Sequence, residues 1–182
     1  MKNEINPQQL HIVQFATAGG QWSGEELLAR FDRLMEEVQG VGGESMVNFE
    51  IQGEMRVNAR GTEEPWLHLV ARANLILTCQ RCLGPVEVGV SLDRHFRFVT
   101  SEEQAEQEDD VSEEDVLVIS KSFDVLSLVE DELLLEQPLS PKHGTCPGAV
   151  RFSAVDADFV EDTGQAAHPF AALGKLQKRG VD

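Results

Sequence analysis

The sequence predicts an α+β domain: an antiparallel β-meander packed by two main helices, with a long acidic loop and a C-terminal clip of the zinc-knuckle kind. Three observations carry this. Residues 45–98 contain three consecutive runs in which apolar and polar side chains alternate, the period of a half-buried strand. Residues 23–38 and 123–135 instead repeat apolar residues at three- and four-residue spacing, the period of a helix with one buried stripe. Cys79-Gln80-Arg81-Cys82 then joins two of the strand runs, and His143-Gly144-Thr145-Cys146 follows far downstream. Two short ligand pairs of this type are a common way to build a tetrahedral metal site.

Composition bounds the class. A chain of 182 residues with 41% apolar content suits one domain spanning 1–182 with a real core. Its apolar runs are too short for a membrane-spanning helix, and Met1–Asn6 lacks the apolar stretch of a secretory signal. The expectation is a cytoplasmic protein. Three cysteines, an odd number, argue against a disulfide framework. With 32 acidic against 15 basic residues the net charge is −17. That opposes broad phosphate binding, which draws on Lys and Arg, and suits a basic protein partner.

Taken in order, Leu10–Thr17 reads as a strand or extended arm, ended by Gly19-Gly20. Ser23 and Glu26 form a capping box, with Trp22 and Leu27 as its staple. Leu27, Phe31, Leu34 and Val38 then recur at helical spacing until Gly40, Gly42 and Gly43. Val47, Phe49, Ile51, Met55 and Val57 give the first strand of the meander, with a bulge expected at Gly53. Residues 61–65 turn the chain. Leu67, Leu69, Ala71, Ala73, Leu75 and Leu77 set the inner face of the second strand. Val86, Val88, Val90 and Leu92 begin the third, which extends through Phe96 and Phe98.

Residues 101–115 hold nine acidic side chains and no Lys or Arg, so they read as a mobile acidic loop, either a solvated linker or a docking surface. Val116–Ile119 is a short strand. Phe123–Leu135 is a helix capped by Asp124, with Glu130, Asp131 and Glu132 as its solvated edge. Pro138 and Pro141 end it. Residues 147–168 are weakly patterned. The tail from Pro169 forms a short amphipathic helix bearing the clearest basic cluster, Lys175, Lys178 and Arg179. These are helix C-terminal cations or an RNA contact.

The cysteine pair has three readings. A redox pair needs a helix starting at the motif, which lowers a thiol pKa; here Leu83-Gly84-Pro85 and a strand follow. That context fits a knuckle, with His143 and Cys146 completing a Cys3His zinc site from Cys79, Cys82, His143 and Cys146. Unliganded structural cysteines are the third reading. Four protein ligands leave no open position, so such a site is structural rather than catalytic. No phosphate-binding loop, dinucleotide fingerprint, nucleophile elbow or metalloprotease motif is present, and there is no Tyr. The five His show no paired metal spacing among themselves.

Leu77–Pro85 resembles the signature turn of the bacterial YceD family, the large ribosomal RNA subunit accumulation proteins. Asp124–Leu135, then Pro138-Leu139-Ser140-Pro141-Lys142-His143, is similar to that family's second block, and Cys146 with Pro169-Phe170-Ala171-x-Leu173 completes the order. The resemblance runs from roughly Phe49 to Leu176. It implies a non-enzymatic role in the synthesis, processing or stability of large-subunit (23S) ribosomal RNA, with no small-molecule substrate. The implied partner is a ribosomal protein, an assembly factor or the precursor RNA. Direct RNA binding would use Arg72, Arg81, Arg94, Arg97, Lys175, Lys178 and Arg179. Some relatives resemble a fuller zinc ribbon with extra cysteines in the second block; this sequence offers only His143 and Cys146 there. The alternatives from other classes are a thiol–disulfide redox protein using Cys79 and Cys82, and a zinc-stabilised interaction adaptor.

Overall fold

Three long strands set the frame: β2 (Met46–Val57), β3 (Glu63–Thr78) and β4 (Pro85–Val99), paired antiparallel in sequence order. The computed structural model describes residues 5–58, 60–109, 112–148, 156 and 158–159. The chain divides into two units, 1–148 and 149–182. In the second, Phe159 N donates to the Asp156 carbonyl at 3.0 Å. The expected tail helix, with Lys175, Lys178 and Arg179, lies outside the described residues, as does most of 147–168.

In the first unit the alternation works as read through Ile51, but at the far end of β2 Met55 is only half-buried and Val57 is exposed. Leu67, Leu69, Ala71, Ala73, Leu75 and Leu77 are all buried, and Val47, Phe49 and Ile51 face the same side from β2. Phe96 and Phe98 of β4 complete a core whose other wall is helical. The opposite face of the sheet is mostly polar and open to solvent, except at the end where Glu64 and Val99 are buried and Trp66 is half-buried.

Two strands flank this meander. β1 (Gln21–Leu27) pairs antiparallel with β2, and β5 (Asp115–Val118) pairs parallel with β4. The sheet is therefore five-stranded and mixed, in the order β1-β2-β3-β4-β5, rather than purely antiparallel. The parallel strand needs a crossover, and part of the acidic block supplies it as helix α3 (Glu102–Asp109). The expected acidic loop is thus corrected over these residues. Ser101 Oγ accepts from Gln104 N at 3.3 Å, a helix start of the Ser-x-x-Gln kind. Ala105 packs with Val99 and Val116, and Arg97 Nη1 donates to Glu108 at 2.6 Å. These contacts hold a helix that its own charge would oppose.

The segment 21–38 also differs from expectation. Ser23 and Glu26, read as a capping box, sit in β1 opposite Glu50 and Val47. Trp22 packs edge-on to Phe49 at 5.3 Å between ring centroids, and pairing with β2 overrides the local motif. The helical spacing is honoured later. A 3-10 turn (Leu28–Arg30) and helix α2 (Asp32–Glu37) bury Leu28, Phe31, Leu34 and Val38, while Leu27 is exposed.

Residues 10–17, expected as extended, form helix α1 (Ile12–Thr17), capped by the His11 side chain, with Ile12, Phe15 and Ala16 inside. Leu10 alone is extended and bridges Phe123, N to O at 2.8 Å. Gly53 carries no bulge, since the β2–β3 register runs through it unbroken. It is glycine because α1 crosses there: a Cβ would sit 2.6 Å from the Phe15 ring and 3.0 Å from Ala16 Cα.

Helix α4 (Val125–Leu135) starts as expected, Asp124 Oδ1 accepting from Leu126 N and Ser127 N at 2.9 and 3.1 Å. It packs on β3 and β4 and against α2. The chain therefore has four helices among the described residues, of which α4 is the longest.

Candidate metal centre

Cys79 is the first residue after β3, and Cys82 lies in the turn before β4. Cys79 N donates to the Gly84 carbonyl, and Leu83 N donates back to the Cys79 carbonyl, both at 2.8 Å. Leu83 takes a left-handed φ of 60°, a conformation costing roughly 1–2 kcal/mol for a side chain with a Cβ. The turn tolerates this because it aims amide N–H groups at the first thiol.

The second half arrives from the end of α4. Past Pro138 the chain follows an irregular path of bends, and Gln80 N donates to the Pro141 carbonyl at 2.8 Å. Two residues on, the His143 ring enters the site. Its Nε2–H donates to the Pro85 carbonyl at 3.0 Å, leaving Nδ1 as the bare nitrogen 3.4 Å from Cys82 Sγ. A carbonyl that fixes the tautomer of a histidine is the usual outer support of a ligating imidazole.

The sulfurs of Cys79, Cys82 and Cys146 and a nitrogen of His143 all lie within 4.8 Å of one another. With Zn–S of about 2.3 Å and Zn–N of about 2.1 Å, a tetrahedral site requires donors about 3.6 Å apart. The four residues expected from the sequence are thus brought together, and Cys82 and His143 already stand near that spacing. Cys79 is buried and the other three are half-buried.

Electrostatics match the donor chemistry. Burial opposes ionisation of Cys79, but the amides of Cys82, His143 and Arg81 and the Cys82 thiol overcome it and hold its pKa at about 5. Cys146 moves the other way, raised by burial and by the neighbouring Cys82 and Cys79 sulfurs. Cys79 forms a thiolate readily, and a second negative charge on Cys146 is resisted. A divalent cation is the group that would balance that charge.

The basic candidates fare unequally. Arg72 and Arg81 are exposed and make no salt bridge among the described residues. Arg94 lies against Asp115, Glu132 and Glu136, and Arg97 against Glu64 and Glu108. Both are occupied within the fold.

The acidic run of α4 is not a solvated edge. Glu130 and Glu132 are buried. Glu130 Oε1 accepts from Arg33 N at 2.8 Å and Leu34 N at 3.2 Å, and Oε2 accepts from the Arg33 guanidinium. It caps α2, whose own Phe31 offers no capping side chain.

One cluster escaped the sequence reading. On the open face His68 of β3 stands opposite His95 of β4, rings stacked 4.3 Å apart and 7° from parallel. His68 Nε2–H donates to Asp93 Oδ1 at 2.6 Å. Burial, with His68 and Arg56 nearby, lowers the His95 pKa. Linear spacing hides the pair, but the hairpin gives it away: from Thr78 facing Pro85, equal steps along both strands arrive at His68 facing His95.

Comparison with known proteins gives one family. Residues 67–177 match the model of "Large ribosomal RNA subunit accumulation protein YceD", more than half of the chain. A Haemophilus influenzae protein of that same name is 25% identical over 154 residues, covering 82% of this chain and 83% of the relative. No solved structure matches the chain. The matched span begins in β3, takes in the cysteine turn, β4 and α4, and runs beyond His143 and Cys146. On that match the chain belongs to the YceD family of large ribosomal RNA subunit accumulation proteins.

Proposed function

We propose that this chain is a non-enzymatic, cytoplasmic factor for the accumulation of large-subunit ribosomal RNA, and that it works by holding a basic ribosomal protein or assembly factor. The observation that carries the role is the family match over 67–177. Charge supports the mode. The net charge is −17, and Arg33, Arg94 and Arg97 are taken up by internal carboxylates. Helix α3 turns Glu102, Glu103 and Glu106 outward, and β2 and β4 present Glu50 and Asp93. Such surfaces attract cationic proteins and repel phosphates. No helix among the described residues is long and apolar enough to cross a membrane.

In this reading Cys79, Cys82, His143 and Cys146 hold a zinc ion. Its part is structural, tying the β3–β4 turn to the segment after α4. Cys79 and Cys82 position two donors from the turn, Pro85 fixes the His143 tautomer, and Cys146 closes the set. The lowered Cys79 pKa also suits a redox thiol. Against that stands its burial, which leaves the sulfur without access for an attacking partner.

The test is capture from cell extract with the tagged full chain, paired with binding to naked ribosomal RNA fragments over a salt series. Recovery of precursor large-subunit particles or their proteins, with no RNA binding at low salt, is expected. RNA affinity that falls steeply with salt would replace the protein-partner mode with direct RNA contact. Unchanged large-subunit RNA levels in cells lacking the protein would remove the ribosomal role.

A further inference from the structure

We propose that the open face of the sheet carries a second metal site, formed by His68, His95 and Asp93, which takes a borderline divalent ion such as zinc, cobalt or nickel. The ligand atoms of the three residues lie within 4.8 Å of one another. All three sit on adjacent strands of the same hairpin, so the backbone fixes their spacing without help from a loop. An ion with bonds of about 2.1 Å holds its donors about 3.0–3.4 Å apart. His68 and Asp93 already stand 2.6 Å apart, joined by a proton. The ion takes that proton's place as the proton passes through solvent to His68 Nδ1, so the imidazole stays neutral, and the stacked His95 ring closes on the ion by a small side-chain rotation.

The chemistry of the set selects the ion. Two imidazoles and one carboxylate favour zinc, nickel, cobalt or copper over magnesium and calcium, which take oxygen donors. Arg56, whose charge bears on His95, is engaged elsewhere. Its Nε donates to Glu54 at 2.6 Å and its guanidinium lies 4.2 Å over the Trp66 ring. Both imidazoles are half-buried and Asp93 is exposed, so one side of the cluster meets solvent. Beside it a hollow of about 360 Å³ is lined by Gln52, His68 and Val70. Three protein ligands therefore leave coordination positions open to water or an oxygen donor, unlike the closed four-ligand set at the cysteines.

Zinc and cobalt(II) titrations of the full chain test this, with bound metal counted after equilibrium dialysis and cobalt followed by absorption. Sulfur ligation gives intense thiolate-to-cobalt bands; a histidine–carboxylate site gives none. The wild type should bind one ion with those bands and a second without them. His95→Gln and Asp93→Asn should keep the thiolate bands and bind the second ion at least tenfold more weakly. Far-UV circular dichroism of the metal-free variants checks that the sheet is intact. If His95→Gln and a His68→Gln/His95→Gln double variant bind as many ions as the wild type, the site is overturned. A wild type that binds a single ion without thiolate bands, lost in His95→Gln, supports this site and sinks the cysteine site instead.

Discussion

Glu130 is a carboxylate from one helix acting as the cap of another, and its removal has a magnitude that the geometry sets. Its Oε1 serves two amides at the start of α2, and its Oε2 serves the Nε and Nη2 of Arg33. Loss of an N-terminal cap costs about 1–2 kcal/mol. Hydrogen bonds to a charged group contribute about 1.5–3 kcal/mol. Arg33 is half-exposed and keeps Asp131, so its guanidinium is not stranded, which places the second term at its lower end. Glu130→Ala should therefore destabilise the protein by about 3 kcal/mol. For a chain of this size that is a fall in melting temperature of about 6–12 °C. Glu130→Gln keeps an oxygen for the amides but turns an NH2 toward Arg33, and should lose about half as much. Urea unfolding followed by circular dichroism gives both values. If the Glu130→Ala midpoint coincides with the wild type at unchanged slope, the capping role is wrong.

Other substitutions probe the remaining corrections. Gly53→Ala should cost about 1–3 kcal/mol, because the new methyl meets the Phe15 ring and the α1 backbone; in a Gly53→Ala/Phe15→Ala double variant the two losses should be clearly non-additive. Glu132 gives a pH signature. Burial raises its pKa, Asp115, Asp131 and Glu136 add to the rise, and Arg94 opposes it. A raised folded-state value means the folded chain binds the proton more tightly than the unfolded one. That contribution is complete below the ordinary carboxylate pKa and is lost as pH rises through the raised value. Glu132→Gln should therefore be more stable than the wild type at pH 8, with the gap closing toward pH 4; a gap of constant size would contradict the assignment.

What could be read in advance depended on how much of each signal was local. The inner faces of β3 and β4 were legible residue by residue, because each strand has one face on the core and the alternation from Leu67 to Leu77 is unbroken. The start of α4 was legible because Asp124 caps from the adjacent position. Capping motifs failed where tertiary pairing outweighed them. Ser23-x-x-Glu26 looks like a helix start and lies in a strand, while Ser101-x-x-Gln104, buried in an acidic run, begins a helix. The second case turns on Arg97, which neutralises Glu108 of the helix from strand β4. Glu130 looked solvated for the same reason: its partners are far away in sequence, on α2. Helix α1 does carry a local signal, since Ile12, Phe15 and Ala16 stand at helical spacing. The four residues of the cysteine cluster were found from spacing, but the carbonyl of Pro85 that sets the His143 tautomer was not, because a backbone acceptor leaves no mark on the sequence.

The ligand set of the cysteine cluster decides the central point. Zinc K-edge X-ray absorption on the purified full chain, with metal content measured on the same sample, reads it directly. One tightly held zinc with three sulfur scatterers near 2.3 Å and one nitrogen near 2.0–2.1 Å is the expected result. A chain that carries no zinc after purification and takes none up when reduced, or whose zinc is bound by nitrogen and oxygen alone, would contradict it.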